Sequence, residues 1–140
     1  MSKVAVVYWS GTGNTQAMAS SVADGAKGAG AEDTLLNPSE FSADKVSGFD
    51  SIAFGCPAMG AEVLEESEFD PMFTAVESAL AGKKIGLFGS YGWGDGQWMR
   101  DWEDRCKGDG AVLASDSVIA NNAPDDTALE ECKSLGMALA

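Results

Sequence analysis

Histidine is missing from the chain altogether. That removes the usual general base near neutral pH, the commonest metal ligand and every histidine-based triad, which argues against a hydrolase or a metalloenzyme. Positive charge is scarce as well: 9 Lys plus Arg stand against 22 Asp plus Glu, for a formal net charge of −13 and a pI near 4.1. Such a surface repels nucleic acid and anionic membranes, because a phosphate-binding face needs clustered Lys and Arg. Cysteine is limited to Cys56, Cys106 and Cys132, widely spaced and without a CxxC pair. These read as reduced thiols of a cytoplasmic protein rather than a disulfide framework or a zinc site. No apolar run approaches the roughly 20 residues that span a bilayer. Met1-Ser2-Lys3 leads into a strand-like run without the apolar region and cleavage site of a signal peptide.

What is present points to a folded domain. A chain of 140 residues, 45% hydrophobic, fits one domain over 1–140 with a real core. Its acidity either serves solubility or draws a partner that presents a basic patch. Hydrophobic runs recur at regular intervals. Val4 to Trp9 is a continuous β-favouring run, as expected of a strand buried on both faces. Further strands are expected at 32–36, 51–56 and 84–89, with a fifth, interrupted one over 111–114 and 117–119. Helices are expected over 14–29, over a segment with Pro71 near its start that runs to about Leu80, over 97–107 and over 125–139. Five strands alternating with helices imply an α/β fold, with a parallel sheet covered on both faces. In such sheets a ligand sits beyond the carboxyl ends of the strands, where the winding reverses. The distinctive loops, 10–15, 57–67 and 91–97, all fall there.

The first of these reads Ser10-Gly11-Thr12-Gly13-Asn14-Thr15 and opens a helix. Two glycines allow a tight turn and close approach to a ligand. The helix N-terminus adds unpaired N–H groups and the positive end of its dipole. Hydrogen bonds to a charged group are worth roughly 1.5–3 kcal/mol each, so several can hold a phosphate without a cation. The chain has no Walker A string, and Gln16 stands where the dinucleotide fingerprint requires glycine. The loop reads as a phosphate cradle.

Three segments together carry a more specific resemblance. Tyr8 to Thr15 resembles the FMN phosphate loop of flavodoxins. Ala58-Met59-Gly60 and Gly89 to Gly96 resemble the two loops that grip the flavin in short-chain flavodoxins of anaerobic bacteria. Glu65 to Phe69 and Gln97 to Trp102 fit the same group, so the resemblance spans essentially the whole chain. It implies a flavodoxin-like doubly wound sheet of five parallel strands, in the order 2-1-3-4-5 with helices on both faces. It also implies a low-potential, one-electron carrier with non-covalent FMN as its only redox centre and no substrate turnover of its own. The implied cofactor-binding residues are Ser10 to Thr15, Pro57, Ala58, Met59, Gly60, Ala61 and Glu62 in the first two loops. Ser90, Tyr91, Gly92 and Trp93 complete the set.

Individual residues can be read physically. Met59 can lay a polarizable side chain on one face of an aromatic ligand, and the indole of Trp93, between two glycines, suits stacking on the other. Gly60 permits a positive φ. The resemblance implies that its peptide turns a carbonyl toward flavin N5 once that atom is protonated, favouring the neutral semiquinone. Glu62 is then an acceptor for flavin N3–H, or one more solvated carboxylate. Tyr91 lines the site or anchors its loop, and Trp9 is a packing residue or a ligand contact. Trp98 and Trp102, four apart on a helix, suit core packing. A handful of carboxylates about 12 Å from an anionic reduced flavin, at roughly 0.3–1.4 kcal/mol each, would lower its potential by on the order of 100 mV. The same charges suit docking to basic-patched reductases and oxidoreductases; the carrier itself is expected to be monomeric and free of membrane and nucleic acid.

Two other functions compete. A small FMN-dependent quinone or flavin reductase would need a substrate-binding insertion and a proton donor beside the ring, and neither is evident in the sequence. A response-regulator receiver needs an acidic pair after the first strand and an aspartate after the third, where Ser10-Gly11 and Pro57 stand.

Overall fold

The computed structural model describes residues 2–60, 62–92 and 94–140. Its sheet is built from β1 (Lys3–Tyr8), β2 (Glu32–Leu36), β3 (Ser51–Gly55), β4 (Lys84–Tyr91), β5 (Val112–Leu113) and β6 (Val118–Asn121). All pairings are parallel, in the order β2-β1-β3-β4-β5, with β6 also paired to β4. The last two strands together form the expected interrupted fifth strand: β5 pairs with the start of β4 and β6 with its end. This second pairing carries β4 two residues beyond the expected end at Gly89, so Ser90 and Tyr91 lie on a strand opposite Ala120 and Asn121.

Alternate residues of the strands feed two cores, as a period of two dictates. Ala5, Val7, Ile52, Phe54, Ile85 and Leu87 face one side, under α2 (Phe69–Val76) and α3 (Gln97–Gly108). Phe69, Phe73 and Trp102 form an edge-to-face and stacked aromatic group there, with centroids 5.5–6.1 Å apart. Trp98 and Trp102 are both 2% exposed, so their spacing does report core packing. Val4, Val6, Ala53 and Phe88 face the other side, under α1 (Asn14–Gly28) and α4 (Asp126–Leu139).

In the helix preceding β4, Pro71 is the third residue, near the start as expected, and the helix tightens into a 3-10 turn at Glu77–Ala79. Two further 3-10 turns, Pro38–Glu40 and Ala43–Gly48, connect β2 to β3. No described helix is long and apolar enough to cross a membrane. The fold positions the carboxyl ends of β1, β3, β4 and β6 side by side, at the point where β1 sends one neighbour to each side.

Candidate functional site

Beyond those strand ends lies a cavity of about 230 Å³. It is lined by Ser10, Gly11, Thr12, Asn14 and Thr15 from the first loop, Pro57, Ala58 and Met59 from the second, and Ser90, Tyr91 and Gly92 from the third. Eleven of the sixteen expected site residues therefore meet around one space. Trp9 and Asn122 line it as well.

The first loop is a helix start built to leave donors free. Gly13, the N-cap of α1, holds φ 97° in the left-handed region, where a side chain is strained and where it offers no capping oxygen of its own. Ser10 substitutes from three residues back: its Oγ accepts from the N–H of Gly13 at 3.1 Å and of Gln16 at 3.2 Å. With its oxygen occupied from inside the loop, its hydroxyl hydrogen is left for an outside acceptor. The N–H groups of Asn14 and Thr15 take no acceptor among the described residues, and the first turn carries no acidic residue. Thr15 is buried, and its Oγ1 lies 3.2 Å from Ser90 Oγ. One hydrogen bond between two hydroxyls leaves the pair one hydrogen to give elsewhere.

The second loop closes on itself. Met59 and Val63 exchange backbone hydrogen bonds of 2.8 and 3.0 Å, forcing a tight reversal between them. At its tip Gly60 has φ 47° and Glu62 has φ 57°. Gly60 thus has the positive φ expected of it; Ala61, and with it the orientation of the following peptide, lies outside the described residues. Gly60 and Glu62 do not line the cavity. Glu62 Oε1 instead accepts from the N–H of Gln97 at 3.2 Å, capping α3 and joining the second loop to the end of the third. That helix-capping contact occupies one carboxylate oxygen of Glu62 and leaves the other without a donor among the described residues. Trp93 lies outside the described residues.

Three groups brace the loops from behind. Ala58 N–H donates to Ser90 O at 2.9 Å, and Trp98 Nε1–H donates to Cys56 O at 3.2 Å. Cys56 itself is buried, and desolvation pushes its thiol up to about 12, so it is an inert packing group rather than a redox thiol. The third brace was invisible in the sequence. Glu65, 6% exposed, accepts from the N–H groups of Ser67 (2.9 Å), Glu68 (2.7 Å) and Phe69 (2.9 Å) and from Ser67 Oγ. Burial disfavours its charge, but these donors together outweigh that and hold its carboxyl below the usual carboxylate range.

Asn122 lies in the stretch Asn121-Asn122-Ala123-Pro124 that joins the fifth strand to the last helix, a turn that could also border the site. It holds φ 57°, donates its N–H to Tyr91 O at 2.7 Å, and forms the β6 rim of the cavity. Asn and Asp tolerate this conformation better than other side chains do, and the Asn-Asn pair at the strand end was the available signal. Tyr91 both lines the cavity and packs on Trp98, ring centroids 5.5 Å apart, so its two suggested roles coexist.

The chemistry of the donor set fits a phosphorylated, planar heterocycle. Free N–H groups and hydroxyls at one end suit a phosphate, and Met59, Ala58 and Tyr91 give the rest an apolar surface. Comparison with known proteins agrees with this geometry. The Flavodoxin family model matches residues 6–136. A flavodoxin of Clostridium beijerinckii is 46% identical over 135 residues, 96% of this chain and 97% of that protein. A flavodoxin of Megasphaera elsdenii is 47% identical over 137 residues, 98% of each. The solution structure of two-electron reduced Megasphaera elsdenii flavodoxin superposes with a TM-score of 0.89 over 97% of each chain. A sheet wound in this order, a helix start with free donors at its switch point and full-length identity near one half place the chain in the flavodoxin family.

Proposed function

We propose that the three loops hold FMN and that residues 1–140 act as one FMN-binding domain. As a flavodoxin, the chain is an FMN-containing low-potential electron carrier rather than an enzyme. The observation that carries the site assignment is the helix start at 10–15, with free N–H groups and hydroxyls and no charge to oppose a phosphate. When bound, FMN supplies the reversible one-electron chemistry; the protein supplies binding, orientation and field.

Each residue then has a physical task. Ser10, Thr12, Asn14 and Thr15 donate to the phosphate, while Gly11 and Gly13 let the backbone approach it. Ser90 supports Thr15 from below. Pro57, Ala58 and Met59 form one wall and Tyr91 and Gly92 the other, and Trp93 is assigned by its sequence position to stack on the ring. By the family resemblance, Gly60 and Ala61 would form the turn at the N5 edge, and Glu62, with one carboxylate oxygen not used by Gln97, would accept from N3–H. The partners are redox proteins. Those with a basic patch fit best, since a chain of charge −13 attracts them at long range. Cytoplasmic residence is supported by the three buried, free thiols.

The test is an anaerobic reductive titration of purified protein, followed by absorbance and FMN analysis. One FMN per chain, reduced in two resolved one-electron steps, is expected. Direct two-electron reduction, with turnover of a quinone by NAD(P)H and this protein alone, would instead establish a reductase.

A further inference from the structure

A second cavity, of about 320 Å³, adjoins the one assigned to FMN and shares Trp9 and Ser10 with it. Its other walls are Tyr8, Gln16, the turn Asn37-Pro38-Ser39 and Glu68. Two aromatic rings, amide and hydroxyl groups and one carboxylate line it, with no Lys or Arg.

The carboxylate is held in place from two directions. Glu68 N–H donates to Glu65 Oε1, fixing its backbone, and its Oε2 accepts from Trp9 Nε1–H at 2.8 Å. The other carboxylate oxygen takes no donor among the described residues. The opposite wall is also fixed: Asn37 N–H donates to Glu40 Oε1 at 3.0 Å, and Asn37 Oδ1 accepts from Ser39 Oγ at 2.6 Å. A space with aromatic walls, a spare carboxylate oxygen and amide carbonyls suits a flat cation carrying several donors. A guanidinium meets that description better than an ammonium, because it stacks on a ring and donates in its own plane at once.

We propose that this cavity receives an arginine side chain presented by the redox partner protein, stacked on Trp9 and paired with Glu68. The proposal rests on the FMN assignment, since the shared Trp9 wall would seat the partner directly beside the cofactor. Charge complementarity selects the occupant: a chain of net charge −13 presents here a preformed acceptor cavity without a cation of its own.

The experiment uses ¹⁵N-labelled holoprotein titrated with acetyl-Gly-Arg-Gly-amide, with the citrulline peptide as a neutral isostere. The Trp9 indole N–H resonance, assigned with Trp9→Phe, is the readout. A saturable shift confined to Trp9 is expected from the arginine peptide and none from citrulline. Glu68→Gln preserves an acceptor for Trp9 and should weaken binding by about tenfold, the scale of one hydrogen bond to a charged group. Glu66→Gln removes an equal charge from an exposed position outside the cavity and should change binding less than about twofold by screening. Equal weakening by the two variants, equal shifts from citrulline, shifts spread over Trp98 and Trp102, or no saturable shift would overturn the proposal. FMN absorbance on the same samples separates the two readings. Absent FMN in the unsubstituted protein defeats the cofactor assignment, whereas bound FMN with no arginine discrimination defeats only the docking cavity.

Discussion

Replacing Glu65 with alanine should destabilise the protein by about 3 kcal/mol, far more than a surface carboxylate warrants. Glu65 Oε1 and Oε2 accept three backbone N–H groups at the start of α2, and removing a helix cap costs about 1 kcal/mol. Ser67 and Glu68 are exposed, so water can take over their N–H groups. Phe69 is fully buried, and its orphaned N–H adds about 2 kcal/mol. For a chain of this length the sum corresponds to a fall in Tm of about 10 °C. Glu65→Gln keeps one acceptor oxygen and should lose about half as much.

Circular dichroism melts at several pH values, with FMN saturating, supply the check. The folded pKa of Glu65 lies below its unfolded value, so its contribution is present above the unfolded pKa of about 4.3 and disappears as pH falls through the folded pKa. The gap between the wild type and Glu65→Gln should therefore be widest above pH about 5 and narrow in acid. A gap under about 0.5 kcal/mol, or one that is flat with pH, would refute the capping argument. The variant also bears on the site. Glu65 N–H donates to Cys56 Sγ at 3.3 Å, closing the base of the loop that carries Met59, so weaker FMN binding should accompany the lost stability.

Gly60→Val places a β-branched residue at φ 47°, costing about 1–2 kcal/mol of strain; spectroelectrochemistry should show the two one-electron potentials moving together. Asp109 presents a buried oxygen without a partner and faces Glu77, and desolvation followed by Glu77 raises its carboxyl to about 6. Its contribution is present below the unfolded pKa of about 3.9 and is lost as pH rises through about 6. Melts should show Asp109→Asn gaining on the wild type over that window, and a constant difference would refute the raised pKa. In Gly136→Ala the new methyl would press into the Val22 carbonyl across the α1–α4 contact, so urea unfolding should show a loss of about 1–3 kcal/mol.

Most of the fold was legible because its signals are local. A continuous Val-rich run marked β1, Ile85-Gly86-Leu87-Phe88 marked β4, and glycine with Ser, Thr and Asn marked the turn into α1. Even the break in the fifth strand was readable, from Ser115-Asp116 between two apolar runs. What escaped depends on partners distant in sequence. Ser90 and Tyr91 are strand only because β6 pairs with them. Glu65 sits among Glu62, Glu66 and Glu68 with nothing to distinguish it, and its burial arises from Cys56 and the N-terminus of α2. Glu62 caps α3 from 35 residues away. Arg105, on a helix whose sequence drew notice for its two tryptophans, bonds Asp70 at 2.9 Å and Glu77 at 2.6 Å and lies 4.9 Å over the Phe73 ring, tying α3 to α2.

The placement of charge bears on how one chain can hold a phosphate and still disfavour an added electron. A Lys or Arg on the phosphate would do the first and undo the second, because its field reaches the ring. Neither residue lines the cavity. Among the described cations near the loops, Arg100 is turned to Asp95 at 2.9 Å, and Arg105 is spent on α2. Neutral backbone dipoles act over short range, so the carboxylates of 62–70 govern the field at longer range. Their effect should be screened by salt. At about 12 Å a charge is damped far more at 0.1 M, with a Debye length of about 10 Å, than at 0.01 M, where it is about 30 Å. With roughly 0.3 kcal/mol per carboxylate in water, the change is about 0.1 kcal/mol each. The four besides Asp70, which Arg105 pairs, raise the potential of the second electron by on the order of 20 mV, at about 59 mV per 1.4 kcal/mol. Potentiometry across that range should show the rise. A potential that stays fixed or falls with salt would mean that the ring's immediate contacts, not the acidic surface, set its value.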